Sequence, residues 1–248
     1  MIISLIVLYE NIIPEKLLYF YMNTNTITKF NSLIENIPDK PKKLFYEGDI
    51  SLLDNSHIYV CIVGPRKASS YGIQVTEHIL QFLKDFNVIT VSGAAYGIDG
   101  LVHTLSIKHG IKTVAIPGSG ISDDFFYPRA HLDLKHEILD HGGLIINEFE
   151  PDTRSSLWTF PVRNRLMAGL SHMTIVIEAE EKSGTLITAN LAADYNRDIL
   201  AVPGNIFSRT SFGTNDLINK GAKIFVNVES LREMLVEIAE RYNISLKT

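Results

Sequence analysis

The stretch that decides the fold is Ile58-Tyr59-Val60-Cys61-Ile62-Val63-Gly64, six residues of a short apolar run followed by a glycine. A run that is this short and apolar throughout is typical of a strand buried on both faces. Similar runs recur along the chain, and a helix-length segment follows each, as in repeated βαβ units. The pattern therefore predicts a doubly wound α/β fold, with a twisted, mainly parallel sheet between helices. The predicted strands are 58–63, 88–91, 113–116, 144–146, 174–177 and 199–202, and the clearest predicted helices are 73–85, 97–109, 186–195 and 231–242.

The N-terminal part of the chain lacks this alternation of predicted strands and helices. Residues 1–57 have no clear period and carry the breaker-rich stretch Ile37-Pro38-Asp39-Lys40-Pro41. They predict a small N-terminal appendage and linker, with the α/β domain in residues 58–248. The apolar run at residues 1–9 stops at Glu10, far short of the ~20 residues that span a bilayer, and no basic residue precedes it. We expect a cytoplasmic protein with no membrane partner; whether Met1 or Met22 is the start stays open.

Composition narrows the class of protein. Of the 248 residues, 46% are hydrophobic and 21% are charged, which excludes disorder as the main state. The single cysteine, Cys61, excludes a disulfide framework and a cysteine-rich metal site, and the eight histidines show no zinc spacing. We therefore expect no metal.

Glycine-rich and basic loops follow the predicted strands. In an open parallel sheet the ligand site lies at the carboxyl ends of the strands, where these loops lead into helices. Small residues allow a ligand to approach the backbone, and free N–H groups at helix starts bind anions. The loops predict a phosphate site. None matches a Walker or dinucleotide motif, so no nucleotide cofactor is expected. The loops are 64–72, 92–99, 118–120, 160–165 and 182–185.

The segment Phe160-Pro161-Val162-Arg163-Asn164-Arg165 is the most informative of these loops. Pro161 suits the first position of a helix, which puts both arginines in its first turn. The positive end of the helix dipole destabilises a cation at this position, at a cost of roughly 0.3–1 kcal/mol for each arginine. A bound phosphate, or a carboxylate such as Glu178, would offset this cost. The alternative is that Arg163 or Arg165 ties loops together through a buried carboxylate.

Two further patterns concern catalysis. Asp99 and His103 are four residues apart on a predicted helix and so share a face. They could form an acid–base or metal pair, or a local hydrogen bond that braces the loop. Ser92, Ser119 and Ser183 precede glycines, but none lies in a G-x-S-x-G elbow. Nucleophilic hydrolysis thus has no support, and no catalytic residue is predicted.

Taken in order, the motifs from about residue 58 to residue 225 resemble the DNA-processing protein family called DprA or Smf. Two positions depart from the family pattern: Pro65 replaces the usual serine, which removes an N–H and a hydroxyl, and Asn147 precedes Glu148 where Ser-Glu is common. The motifs are Gly64-Pro65-Arg66, Ser92-Gly93 with Gly97-Ile98-Asp99 and His103, Gly118-Ser119-Gly120 with Tyr127-Pro128, Phe160-Pro161-x-Arg163-Asn164-Arg165, Ser183-Gly184-Thr185, Val202-Pro203-Gly204, and Ser211-x-Gly213-x-Asn215.

The resemblance implies an extended Rossmann-like domain that binds single-stranded DNA, forms a homodimer and performs no catalysis. It also implies that the protein protects incoming DNA and helps load the RecA recombinase in natural transformation. Arg66 and Lys182 would contact phosphates, and the segment 160–165 would line the DNA pocket. The residues expected to bind DNA are Gly64, Arg66, Lys67, Ser92, Gly93, Gly118, Ser119, Gly120, Phe160, Arg163, Asn164, Arg165, Lys182, Ser183, Gly184 and Thr185.

Two other functions remain open at this point. Phosphoribohydrolase-like enzymes on a related fold use a Gly-Gly-x-Gly-Thr loop followed by a glutamate. The stretch Lys182-Ser183-Gly184-Thr185 is similar, but Leu186-Ile187-Thr188-Ala189 follows it without a carboxylate. The third possibility is a nucleotide-sensing module.

The net charge of −5 argues at first against a DNA partner. However, residues 151–225 contain eight Lys and Arg against seven Asp and Glu, so most of the acidity lies elsewhere. The charge distribution therefore predicts a narrow, locally basic groove rather than a broadly basic surface.

Overall fold

Nine strands lie side by side in one sheet within residues 25–246, the part of the chain that our computed structural model describes. The apolar run at residues 1–9 and the candidate start at Met22 fall outside this part. The strands are β1 (Asn25–Ile27), β2 (Leu44–Gly48), β3 (Ile58–Val63), β4 (Val88–Ser92), β5 (Lys112–Ala115), β6 (Leu144–Asn147), β7 (Met173–Val176), β8 (Asp198–Ala201) and β9 (Lys223–Ile224).

Helices connect the strands and cover both faces of the sheet. All the helices predicted from the sequence are present, and α2 begins earlier than predicted because the Ser69 side chain caps it by accepting a hydrogen bond from the Gly72 N–H. No helix in residues 25–246 has the length and apolar character needed to cross a membrane. The helices are α1 (Ser32–Glu35), α2 (Ser70–Leu83), α3 (Ile98–Lys108), α4 (Leu132–Asp140), α5 (Thr159–Leu170), α6 (Gly184–Asp194), α7 (Phe212–Asn219) and α8 (Val228–Tyr242).

The central strand β3 is apolar throughout because each of its faces enters a separate core. Val60 packs in the core beneath α2, α3 and α8, whereas its neighbour Cys61 packs in the core beneath α5, α6 and α7. Side chains along a strand alternate between the two faces, so an alternation of polar and apolar residues would place polar groups in one core. The mainly parallel, extended Rossmann-like fold predicted from the sequence is confirmed.

The chain reverses its direction across the sheet at β3. The strand order is β1-β2-β6-β5-β4-β3-β7-β8-β9, so the chain moves from β3 through β4 and β5 to β6 and then returns to the other side of β3 with β7. Strands β3 to β9 form parallel pairs with their neighbours in this set. The carboxyl ends of β3 and β7 are therefore adjacent where the order reverses, which is the usual ligand site of open α/β sheets.

The N-terminal region adds an antiparallel edge that the sequence did not predict. β2 pairs antiparallel with β6 and with β1. Lys135 of α4 is buried and lies 2.7 Å from both Glu47 of β2 and Asp123. Burial raises the pKa of Glu47, and the charge of Lys135 opposes this shift. Residues 25–57 thus extend the sheet of the following residues, and the domain boundary at residue 57 stays a prediction.

Two buried histidines should make the fold sensitive to acid. His172 accepts a hydrogen bond at Nδ1 from the Tyr59 N–H (3.0 Å), and burial, aided by Arg197, lowers its pKa to about 3. Burial likewise lowers the pKa of His103 to about 3. Both are ordinary histidines in the unfolded chain, which therefore binds more protons below pH ~6.5. We expect unfolding free energy to fall below that pH by about 1.4 kcal/mol per histidine for each pH unit, down to the folded pKa.

Urea unfolding between pH 7.5 and pH 5 measures this loss. His172→Gln should reduce the dependence on pH by about half, whereas His78→Gln, at an exposed position of α2, should leave it unchanged. A wild-type protein whose stability stays constant across this range would contradict the assignment of neutral, buried imidazoles.

Candidate nucleic-acid interface

A cleft of about 360 Å³ lies where the order of the strands reverses. One wall comes from the loop after β3, the opposite wall from the segment between β7 and α6, and α5 provides the floor. The cleft therefore stands at the position that the topology favours for a ligand. Its lining residues are Val63, Gly64, Pro65, Arg66, Ala95, Asp99, Phe160, Arg163, Asn164, Met167, Glu180, Lys182, Ser183, Gly184, Thr185 and Thr188.

Arg66 and Phe160 form a cationic and aromatic pair at the first wall. The Arg66 guanidinium lies 4.8 Å from the centre of the Phe160 ring, and Arg66 is exposed and makes no ion pair within residues 25–246. Phe160 in turn packs edge-on against Tyr127, with the ring centres 6.0 Å apart. Gly118 permits this packing, since a Cβ there would collide with the Phe160 ring. The guanidinium N–H groups thus stay available to a ligand.

The second wall is the N-terminus of α6. Ser183 precedes the helix, and its Oγ is buried without a hydrogen-bond partner in the described part of the chain. Gly184 is exposed, and a Cβ there would have no atom within 4 Å. Lys182 is exposed and has no ion-pair partner among residues 25–246. Free N–H groups, an unpaired hydroxyl and a free ammonium make this helix start suited to an anion.

Arg163 has a different environment, because it is buried beneath the cleft. Its side chain is 4% exposed, and Nη1 donates to the carbonyl oxygens of Gly93 and Ile116. Asp99 lies beside it; burial raises the pKa of Asp99, and the charge of Arg163 opposes this shift. Nε of Arg163 donates to Oδ1 of Asn164 at 3.0 Å. Arg163 therefore fits the alternative that one of the two arginines ties loops together through a buried carboxylate. It connects the loops after β4 and β5 to α5.

Two expectations about this segment are wrong. α5 begins at Thr159, so Pro161 is its third residue rather than its first. A proline is tolerated there because the N–H groups of the first turn have no acceptor within the helix. Glu178 does not offset Arg163; it accepts hydrogen bonds from the Ser69 hydroxyl (2.6 Å) and the Thr210 hydroxyl (2.8 Å).

Arg165 lies outside the cleft. It forms an ion pair with Glu148 and lies 3.5 Å from a carboxylate oxygen of Asp39. Glu148 is held in turn by Asn147, whose Oδ1 accepts a hydrogen bond from the Glu148 N–H at 2.7 Å. Because Arg165 has two carboxylate partners, its charge is largely neutralised.

Seven of the predicted residues are not part of the lining of the cleft. Ser92 is buried and donates to the Ile62 carbonyl, and Ser119 is buried and accepts from the Tyr127 N–H. Their contact with DNA stays a prediction. The seven residues are Lys67, Ser92, Gly93, Gly118, Ser119, Gly120 and Arg165.

No hydrogen bond joins Asp99 and His103 within residues 25–246: Asp99 lies beside Arg163 and accepts from backbone N–H groups of the loop after β4, and His103 contacts a different element. His103 is buried, and its Nδ1 lies 2.8 Å from the Thr113 hydroxyl on β5. Within residues 25–246, no three His, Cys, Asp or Glu side chains are grouped as a metal ion requires.

The sequence did not predict several residues that line the cleft. Met167 and Thr188 each follow a predicted site residue, Arg163 and Gly184, by one helical turn. Residues four apart share a helix face, so this spacing could have identified both. Glu180 precedes Lys182 in the same loop, and its carboxylate had no role in the predicted phosphate site.

The fold and the cleft together define an extended Rossmann-like protein with a cleft suited to an anion where the strand order reverses. Comparison with known proteins specifies the family. The sequence model of the family described as DNA recombination-mediator protein A matches residues 22–236. The chain belongs to this family, whose members carry the names DprA and Smf.

Relatives in several bacteria cover most of the chain. DNA processing protein DprA of Bacillus subtilis is 37% identical over 209 residues, which are 84% of this chain and 69% of that protein. Protein Smf of Escherichia coli is 34% identical over 197 residues, which are 79% of this chain and 52% of that protein. The resemblance inferred from the loop motifs is confirmed.

Two solved structures have the same fold. DNA processing protein A of Streptococcus pneumoniae superimposes with a TM-score of 0.80 at 32% identity, over 89% of this chain and 78% of that one. DNA processing protein A of Helicobacter pylori, whose structure concerns a single-stranded DNA binding mode, has a TM-score of 0.77 at 30% identity, over 86% of this chain and 96% of that one.

Proposed function

We propose that this chain binds single-stranded DNA in the cleft between β3 and β7. The observation that carries the proposal is two cations on opposite walls of one cleft, Arg66 and Lys182, neither with an ion-pair partner in residues 25–246. Lys182 also lies at a helix N-terminus. Phosphates attract such cations and helix N-termini irrespective of base sequence. The binding mode described for the Helicobacter pylori relative supports the same ligand.

A single strand suits this cleft better than a duplex. The aromatic ring of Phe160 lies beside Arg66 at the wall, where the face of an unpaired base could stack on it. Bases of a duplex have their faces covered by their neighbours, so an aromatic wall adds little to duplex binding.

Membership in the family supports a proposal about the wider role. We propose that the protein is not an enzyme, that it acts in the cytoplasm as a homodimer, and that it protects incoming strands and helps load the RecA recombinase. The DNA-binding set predicted from the sequence divides accordingly: Arg66, Lys182, Ser183, Gly184 and Thr185 contact phosphate, and Arg163 positions the floor.

A titration of the wild-type protein with an oligonucleotide and its duplex, repeated over a range of salt concentrations, tests the proposal. We expect tighter binding of the single strand and a decrease of log K with log salt of about 0.7 for each phosphate neutralised. Equal or stronger binding of the duplex, or an affinity that salt does not change, would contradict the proposal.

The phosphoribohydrolase-like alternative keeps one observation in its favour. Glu180 and Asp99 line the cleft, although no carboxylate follows Thr185. Asp99 is occupied by Arg163 and by backbone N–H groups, which leaves Glu180 as the candidate acid or base. Release of free base from a nucleoside monophosphate would favour the enzyme. Tight binding of a mononucleotide without cleavage and without DNA binding would favour a nucleotide sensor.

A further inference from the structure

Two phenylalanines are exposed to solvent beside the cleft, in the segment that follows β8. Phe207 is 89% exposed and Phe212 is 54% exposed, and Ile206 next to them is 81% exposed. Large apolar side chains are normally buried, so a group of three that lies in solvent marks a binding surface. Together they line a second cavity, of about 380 Å³.

The segment that carries these side chains is held in place by polar contacts. Asn215 binds both the N–H and the carbonyl of Gly204, at 3.2 and 3.0 Å. The Thr210 hydroxyl donates to the buried carboxylate of Glu178 at 2.8 Å, and the Thr210 carbonyl accepts from the Ala179 N–H at 2.7 Å. The two rings are therefore presented on a preorganised loop, and a ligand does not have to order this backbone when it binds.

The second cavity adjoins the cleft, but its charge differs. Glu180 and Lys182 line both cavities. Two acidic residues, Glu180 and Glu181, and two basic residues, Lys182 and Arg209, line the second cavity, so acidic and basic side chains are equal in number there. Because no positive charge is left in excess, this cavity does not suit a phosphate. Its two aromatic rings suit a neutral, planar group.

We propose that the second cavity binds a nucleobase of the same strand whose phosphate lies at the N-terminus of α6, by stacking on Phe207 and Phe212. The inference rests on the proposed function, since the strand must first occupy the cleft. The strand would run from Arg66 and Phe160 across Lys182 to the two phenylalanines. Lys182 lines both cavities, so it neutralises a phosphate of the nucleotide that enters the second one.

The decisive experiment combines the double variant Phe207→Ala/Phe212→Ala with an abasic single strand, which keeps every phosphate but has no bases. We expect the double variant to bind a normal oligonucleotide about tenfold more weakly, since stacking of one base contributes on the order of 1–3 kcal/mol. Its affinity for the abasic strand should equal that of the wild type. The salt dependence should stay unchanged, because no phosphate contact is lost.

Controls separate stacking from other roles of the same surface. Phe207→Trp should bind as tightly as the wild type, whereas Val236→Ala, at an exposed apolar position of α8, should change nothing. Light scattering should give the double variant the same molar mass as the wild type. A smaller particle would make this patch a contact between copies of the chain and would overturn the inference.

The outcomes also separate the inference from the proposed function. If the wild type binds single strands and the double variant binds them equally well, only the base site is wrong. An equal loss on normal and abasic strands would likewise overturn it. If the wild type binds no single-stranded DNA, the proposed function itself fails.

Discussion

Arg163→Ala should unfold far more easily than the wild type, with a loss of about 3–5 kcal/mol in unfolding free energy. The substitution leaves the carbonyls of Gly93 and Ile116 without their donor and leaves Asp99 buried without its cationic neighbour. Removal of one partner from a buried charged pair costs more than the pair contributes, because the other charge stays desolvated. Urea unfolding followed by circular dichroism measures the loss.

Two variants sharpen this prediction. Arg163→Lys should recover little, because an ammonium cannot reproduce the planar fork that reaches two carbonyls and Asn164. Lys182→Ala, which removes an exposed cation with no ion-pair partner in the described part of the chain, should unfold as the wild type does. If Arg163→Ala is as stable as the wild type and instead has a weaker salt dependence of DNA binding, Arg163 contacts phosphate and its role as a structural tie is wrong.

The double variant Arg66→Ala/Lys182→Ala should bind single-stranded DNA much more weakly while it keeps its stability. Each side chain that leaves a phosphate lowers the slope of log K against log salt by about 0.7. At 1 M salt the ionic contribution to binding is small. Loss of the two contacts should therefore lower the affinity near 0.1 M salt by roughly 25-fold relative to the wild type. Fluorescence anisotropy over a series of salt concentrations gives both quantities.

The matched control is Lys84→Ala/Lys108→Ala. It removes the same charge at the C-terminal ends of α2 and α3. Its slope should equal that of the wild type. If the control weakens binding as much as the double variant in the cleft, DNA responds to net charge alone, and the cleft has no special role.

Much of the fold could be predicted from the sequence because its central strands are buried on both faces. A strand such as β3 must be apolar throughout, and this pattern stands out against the polar loops that follow. The same reasoning predicted the candidate site at the carboxyl ends of the strands, where the cleft lies. Arg66 and Lys182 were accessible to prediction because each belongs to a loop directly after a strand.

Other features depend on contacts between distant residues, which local patterns do not encode. The antiparallel strand β2 was not predicted because it is half-exposed and pairs with β6, far along the chain. The buried partners of Arg163 come from loops after two other strands. Phe207 resembles any core phenylalanine in the sequence, and only the structure reveals its exposure.

The position of the cleft has a consequence for folding. Its two walls follow β3 and β7, which are adjacent in the sheet but widely separated in the sequence. Pairing of such distant strands forms slowly, because a long loop must close before any contact compensates for it. A chain in which β7 has not yet paired with β3 lacks one wall of the cleft and cannot bind a ligand that contacts both walls. A ligand that spans both walls therefore selects fully folded molecules and protects the whole sheet from unfolding and proteolysis.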